Sequence, residues 1–531
     1  MKKTKIATAL ALSAGLMLPF ATPAQAADVK NLILMIGDGM GPQQLGLLEM
    51  YAREAPNSLY KGEPTAMSKI ADTGLMGMSM TNPDDAIVVD SACSATQLAI
   101  GKTAPSEVVG LDADGNAQET LLEKAKRMGK ATGLISDTRL THATPAAFAS
   151  HQPHRSLENE IAEEMLSVGP DVMLSGGIRH WIPKSTNDKG EVYKTLSSMT
   201  DGKVRLKSKR KDDKNLLTDA KQAGYQLAFT REQMNKSGDD GKLLGLFAYS
   251  GMLDGISYTQ TKDDPARTQP SLREMTKKAL DILSKDEDGF FLMIEGGQID
   301  WAGHNNDAGS MLHELLKFDE TVDYVYEWVK DRDDTLVVIT ADHETGSFGF
   351  SYSAADLPAA KKLPGDGFKD RDYKPNFNFG SKSLLDKLYS QQKGFYEILS
   401  EFQSMEATDQ TAANMTKLMN KYNAFKITEA QAEAILATAP NPYKVEGHKY
   451  MDADQLPKID DFQAFYVYGN EIHADLMGRE LAEQQNVVWG TGTHTSTPVN
   501  VIAWGPDSVT RPLAKMAHHS EVGQHMMNII Q

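Results

Sequence analysis

Short, unbroken apolar runs recur along the chain, and several stop abruptly at acidic or imidazole side chains. Residues 32–36 lead into Gly37-Asp38-Gly39, residues 290–294 into Glu295 with Asp300 and His304 just beyond, and residues 335–340 into Asp342-His343. Residues 131–135 run shortly into His142 and Thr144. Runs of this length read as strands buried on both faces. Helical patterns separate them; in 311–329, Leu312, Leu315, Leu316, Val322, Val325 and Val329 fall largely on one face. The alternation predicts an α/β fold, a mainly parallel central sheet with helices on both faces plus large insertions. Reactive groups in such sheets collect outside the carboxyl ends of the strands. One sheet edge would therefore gather Asp, Glu and His from at least four segments.

The pattern changes from about residue 351. That stretch begins rich in Pro, Gly, Lys and Asp, then gives helical patches at 383–389, 395–405, 412–422 and 428–437, and strand character resumes only at 499–503. We therefore expect an α/β domain from 27–350 and 486–531, interrupted by a small helical insertion at 351–485. Residues 183–214 are polar and contain the basic run 207–211, which reads as a solvated loop.

Residues 1–26 join a basic start, a short apolar stretch and Ala24-Gln-Ala26, the features of a cleaved secretory signal. The expected location is periplasmic or secreted. No later run is long enough to cross a bilayer, so no membrane partner is expected. Of 531 residues 40% are hydrophobic, enough for a large core. Loss of the leader removes three lysines and no acid, taking the formal net charge from −17 to −20. Such a surface argues against nucleic-acid binding. It also means that an anion site needs concentrated local positive charge, which bound metals supply. Cys93 is the single cysteine, so no intramolecular disulfide can form, and it reads as a small buried hydrophobe.

Asp300 and His304 are one helical turn apart, so both can face one ion. Mixed carboxylate and imidazole ligands suit zinc, whereas an all-oxygen set suits magnesium. Val88-Val-Asp90-Ser91 leads into a run of small residues with helix-forming potential. Ser91 at that helix N-terminus would meet free N–H groups that favour an anion; an ordinary helix cap is the alternative.

Taken in order, Gly37-Asp-Gly-Met-Gly41, Asp90-Ser91-Ala with Ser94-Ala-Thr96, His142-Ala-Thr-Pro145, Glu295-Gly with Asp300 and His304, Thr340-Ala-Asp-His343 and Gly492-Thr-His494-Thr resemble the alkaline phosphatases. The resemblance implies two Zn2+ and one Mg2+. The first zinc would be held by Asp300, His304 and His494. The second would be held by Asp38, Asp342 and His343, with Ser91 as its exchangeable ligand. Magnesium would take Asp38, Thr144 and Glu295. Arg155 stands at the family's spacing for the phosphate-clamping arginine, with Asp90 orienting it. The implied reaction is hydrolysis of phosphate monoesters through a phosphoserine at Ser91, in a homodimer whose contacts or cleft the 351–485 insertion could shape. Three departures accompany the match, one of them Cys93, two residues past Ser91 where a small residue is expected. His142 stands where one bacterial branch has Asp, beside the magnesium site, and Trp301 stands where Lys or His is usual near phosphate, which removes a donor. A related phosphodiesterase or sulfatase, and a noncatalytic exported metal- or phosphate-binding protein, are the competing functions.

Overall fold

The computed structural model describes residues 29–469 and 471–530; the leader at 1–26 lies outside them. Ten strands form the central sheet: β1 (Asn31–Gly37), β2 (Leu75–Met80), β3 (Ala131–Arg139), β4 (Val172–Gly176), β5 (Tyr225–Ala228), β6 (Lys242–Leu246), β7 (Phe290–Gly296), β8 (Thr335–Thr340), β9 (Val499–Trp504) and β10 (Met516–His518). Their spatial order is β10-β2-β9-β8-β1-β7-β3-β4-β6-β5. Only β9 runs against its neighbours, and every other pairing in this sheet is parallel.

The unbroken apolar runs are explained by two cores. Along β1, Ile33 and Met35 enter one apolar cluster while Leu32, Leu34 and Ile36 enter another, and all five are buried. Strand side chains alternate between faces, so a strand covered on both sides needs apolar residues at every position. Helices Pro42–Glu54, Leu272–Leu283 and Ala308–Val329 contribute to the first cluster, and Ser91–Ile100, Leu121–Arg127 and His519–Ile529 to the second.

Within 351–485 the helices Ser383–Tyr389, Phe395–Gln403, Ala412–Tyr422 and Glu429–Leu436 lie where the periodicity indicates. Their apolar faces, including Leu388, Phe395, Leu418 and Ile435, join the same cluster as Leu312 and Leu315 of the long helix Ala308–Val329. This segment therefore shares the core on one face of the sheet.

The stretch 183–214 departs from the expectation of a solvated loop. It contains the helix Glu191–Met199, whose single buried residue, Leu196, leaves little apolar signal in the sequence. Arg210, in the middle of the basic run, has a side chain 0% exposed. Its guanidinium donates to Asp212 Oδ1 and Oδ2 (2.6 and 2.7 Å), Glu163 Oε1 (2.6 Å) and the carbonyls of Asn159 and His180 (3.2 and 3.1 Å). A buried charge persists only when paired and hydrogen-bonded, and here the fork of Arg ties the loop to the helix Glu158–Val168. Arg210→Met should cost about 2 kcal/mol, since both carboxylates are partly exposed and water screens them. The expected readouts are a lower thermal midpoint and faster tryptic cleavage within 203–214; an unchanged cleavage rate would refute the tether.

Candidate metal centre

The four strands β8, β1, β7 and β3 are neighbours and all parallel, so their carboxyl ends line up. Ile36 pairs with both Glu295 and Thr340, and Ser136 pairs with Glu295. Asp38, Glu295, Asp342 and His343 consequently leave the sheet at one level. The helix Gln298–His304 follows β7 after one turn and carries Asp300 and His304 on its inner side, both buried. Gly39 makes the approach possible: its φ is +73°, and a Cβ there would sit 2.7 Å from the Asp300 Cα. His494 arrives from the other chain direction. The two-residue strand His494–Thr495 pairs antiparallel with Glu344–Thr345, just before β9 begins at the same edge.

These side chains converge in three overlapping groups, Asp300 with His343 and His494, Asp38 with Asp342 and His343, and Asp38 with His142 and Glu295; in each, the ligand atoms lie within 4.8 Å of one another. His304 joins the first, its Nε2 being 3.1 Å from His494 Nε2 and 3.4 Å from Asp300 Oδ2. His343 Nε2 lies 3.2 Å from Asp342 Oδ2 and 3.5 Å from Asp38 Oδ1. The imidazoles present the same nitrogen for a physical reason. His304 Nδ1 donates to the Gly492 carbonyl and His494 Nδ1 to the Val89 carbonyl, both at 2.8 Å. His343 Nδ1 faces Thr345 Oγ1 at 3.3 Å, and that hydroxyl in turn donates to Asp300 Oδ1 at 2.5 Å. With Nδ1 protonated, each Nε2 lone pair is free for an ion.

The carboxylates are half satisfied. Asp342 Oδ1 accepts from the backbone N–H of Gly39 and of His343, and Glu295 Oε2 accepts from the hydroxyls of Ser136 and Thr138. Both oxygens of Asp38, Asp342 Oδ2, Glu295 Oε1, Thr144 Oγ1 and His142 Nδ1 are buried with no hydrogen-bond partner among the described residues. Burial pushes Asp38 well above the usual carboxylate range, helped by Asp342, Asp300 and Glu295. Burial likewise takes Glu295 to about 8 and Asp342 to about 6. For Asp300 burial acts upward too, but His304, His494 and His343 outweigh it and bring the group to about 2. Burial lowers His343 to about 4 and His494 to about 3, leaving both neutral.

Ser91 is the first residue of the helix Ser91–Ile100, with its Oγ 3.1 Å from His343 Nε2. Asp90 caps that helix by accepting from the N–H groups of Ala92 and Cys93, and its Oδ2 also takes Arg155 Nη1 at 2.8 Å. It is thus both a helix cap and a partner for Arg155. Burial would raise Asp90, yet the guanidinium holds it below the ordinary value. Arg155 Nη2 reaches His142 Nε2 at 3.5 Å, and burial together with Arg139 and Arg155 keeps the His142 ring neutral. Trp301 lies edge-on to His142, centroids 6.1 Å apart, and its ring fills the space a Cβ on Gly251 would occupy. Cys93 is buried, donates to the Ala104 carbonyl at 3.1 Å, and has its thiol pushed up by burial, so it is unreactive.

Several partners leave no mark in the local sequence. Thr345 bridges Asp300 and His343. Asp137 accepts from the Gly297 N–H at 2.7 Å and pairs with the buried Lys317 at 3.0 Å, which pins the turn between Glu295 and Asp300. Tyr468, from the 351–485 segment, sets its ring against His304 with centroids 5.0 Å apart.

The model of the alkaline phosphatase family matches residues 29–531. Alkaline phosphatase 3 of Bacillus subtilis (strain 168) is 31% identical over 513 residues, 95% of this chain and 89% of that protein. The structure of Thermus thermophilus alkaline phosphatase aligns with a TM-score of 0.72 at 24% identity, covering 94% of this chain and 91% of that one. A His-to-Asp mutant of TAB5 alkaline phosphatase, with Mg bound in its M3 site, aligns with a TM-score of 0.57 at 20% identity over 95% of this chain and 99% of that one. Fold, edge chemistry and relatives agree, and the chain belongs to the alkaline phosphatase family of metal-dependent phosphomonoesterases.

Proposed function

We propose that the protein hydrolyses phosphate monoesters through a phosphoserine at Ser91, in a site built for two Zn2+ and one Mg2+. One observation carries this reading: four buried carboxylates and the imidazoles of His304, His343 and His494 gather beside one serine hydroxyl, and both oxygens of Asp38, Asp342 Oδ2 and Glu295 Oε1 have no hydrogen-bond partner among the described residues. Asp300, His304 and His494 would hold one zinc, and Asp38, Asp342 and His343 the other. Asp38, Thr144 and Glu295 form an all-oxygen set suited to magnesium, and the TAB5 mutant with Mg in its M3 site is a related precedent. With Nε2 turned to Arg155, the His142 ring would carry its proton on Nδ1, beside Asp38 and Glu295. Bound there, the cations would act as Lewis acids that favour the Ser91 alkoxide and neutralise charge on the attacking and leaving oxygens.

The remaining work falls to the chain. The N-terminal N–H groups of the helix Ser91–Ile100 favour the anionic phosphoryl group. Asp90 holds Nη1 of Arg155 and His142 lies against Nη2, and the remaining N–H groups of the fork would grip phosphoryl oxygens. Ser91 Oγ forms the new P–O bond as the ester oxygen leaves with the electron pair of its own bond. Water then attacks phosphorus, releases phosphate and restores the hydroxyl. Trp301 walls the site beside His142, offering bulk in place of a charged donor. We assign the protein to the periplasm or the outside of the cell on the strength of the leader at 1–26, in the homodimeric form usual for the family, with 351–485 as an insertion in a catalytic domain of 27–350 and 486–531.

Ser91→Ala should lower kcat/KM for aryl phosphate monoesters by several orders of magnitude while zinc and magnesium content is retained; a persisting phosphoenzyme in that variant would exclude the mechanism. Wild-type protein should cleave monoesters faster than diesters or sulfate esters, and the reverse order would move it to another esterase class.

Metal linkage supplies a second test. Glu295, held near 8 in the metal-free fold against an unfolded value near 4.5, binds its proton more tightly when folded. Its stabilising contribution is complete below pH 4.5 and disappears as the pH rises through 8. Chelated protein should therefore lose thermal stability between pH 6.5 and 8, and zinc plus magnesium should abolish that decline. A metal-free protein that gains stability over the same interval would contradict the electrostatics.

A further inference from the structure

The segment that precedes the helix Ile472–Gln485 is fastened to the metal centre by its backbone. The Phe465 carbonyl accepts from the Gly492 N–H at 3.3 Å and from Thr491 Oγ1 at 2.9 Å. Gly492 is the residue whose carbonyl orients His304. The Tyr466 ring lies directly under it: a Cβ on Gly492 would be 2.8 Å from Tyr466 Cδ1. Arg479 Nη1 donates to the Tyr466 hydroxyl at 2.9 Å, holding that ring in turn.

Two residues on, Tyr468 is clamped from both sides. Its ring meets His304 at 5.0 Å and Tyr450 at 5.2 Å between centroids, each with an interplanar angle of 86°. Such edge-to-face contacts fix the direction of the phenol axis. The hydroxyl makes no hydrogen bond among the described residues, although the side chain is half-buried and Arg155, Asp300 and Glu471 are its charged neighbours. Its oxygen is not among the sealed-off polar atoms, so it remains reachable by a ligand in the site. The phenol thus stands against His304 of the first metal group, with the phosphate-gripping Arg155 and Asp300 among its charged neighbours, where an anion would be the acceptor.

We propose that Tyr468 is a substrate-contacting residue supplied by the 351–485 insertion, donating its hydroxyl hydrogen to a phosphoryl oxygen of the bound ester and of product phosphate. The proposal rests on the phosphomonoesterase reading of the site. It also gives the insertion a task inside its own subunit. Where Trp301 offers an indole in place of a charged side chain, Tyr468 adds a neutral donor beside His304.

The test is Tyr468→Phe in the zinc- and magnesium-loaded enzyme, with inorganic phosphate titrated calorimetrically and used as a competitive inhibitor of aryl phosphate hydrolysis. Loss of a hydrogen bond to a charged acceptor should weaken phosphate binding about tenfold or more. KM should rise with it, while metal content and thermal midpoint stay at the wild-type values. Phosphate affinity within twofold of wild type in Tyr468→Phe overturns the proposal, and so does a loss seen only in Tyr468→Ala, since that would assign the effect to the ring. Calorimetry reads the contact whether or not turnover occurs. A wild-type protein that binds phosphate without hydrolysing esters would sink the functional reading and leave the comparison of the two variants intact.

Discussion

Negative charge confined to a dry volume governs this molecule. Asp38, Glu295, Asp300 and Asp342 are each at most 4% exposed and crowd one another at the end of the sheet. Isolated ionised carboxylates in such surroundings are prohibitively costly. The protein answers with a few donors, the Gly39 N–H, the Ser136 and Thr345 hydroxyls and the neighbouring imidazoles, that each cover part of the set. It leaves the inward-facing oxygens bare. That incomplete compensation suits the cluster to multivalent cations, whose charge would let a strongly acidic protein hold an anionic ester at one spot.

The sheet is the device that keeps the carboxylates from moving apart. Three strand pairings in a row, β8 with β1, β1 with β7 and β7 with β3, set the heights of the ligands through main-chain hydrogen bonds, and both faces are locked by apolar cores. Repulsion among the acids is thereby resisted by the cooperative stability of the whole domain. Orientation is handled separately and locally: carbonyls of Val89 and Gly492 select the imidazole tautomers, while Asp137, anchored on Lys317, holds the turn between Glu295 and Asp300.

How much of this could be read from the chain follows from what each part depends on. The strands β1, β3, β7 and β8 were legible because burial on both faces demands uninterrupted apolar residues. The strand β2, second from the edge of the sheet, was not: in Leu-Met-Gly-Met-Ser-Met only Ser79 is buried, so no such pressure acts on it. The helices of 351–485 were visible through their 3.6-residue period, whereas the short helix Glu191–Met199 buries one leucine and gives no period to detect. The candidate ligands stood out as polar residues ending apolar runs. Their supporting partners did not, because a backbone carbonyl has no side-chain signature and the Tyr468–His304 contact joins positions 164 residues apart. Arg210 misled for a related reason: its acidic partner Glu163 lies 47 residues upstream.

The reversed direction of β9 has a consequence for how the protein is made. Because that strand enters the sheet from the ligand edge, the imidazole of His494 belongs to nearly the last portion of chain to be synthesised, whereas Asp38 belongs to the first. A polypeptide emerging in order holds a cluster of acids with one of its imidazoles missing until β9, the last but one strand, slots between β8 and β2. The cluster of acids and imidazoles is therefore completed only when almost the whole chain has been made.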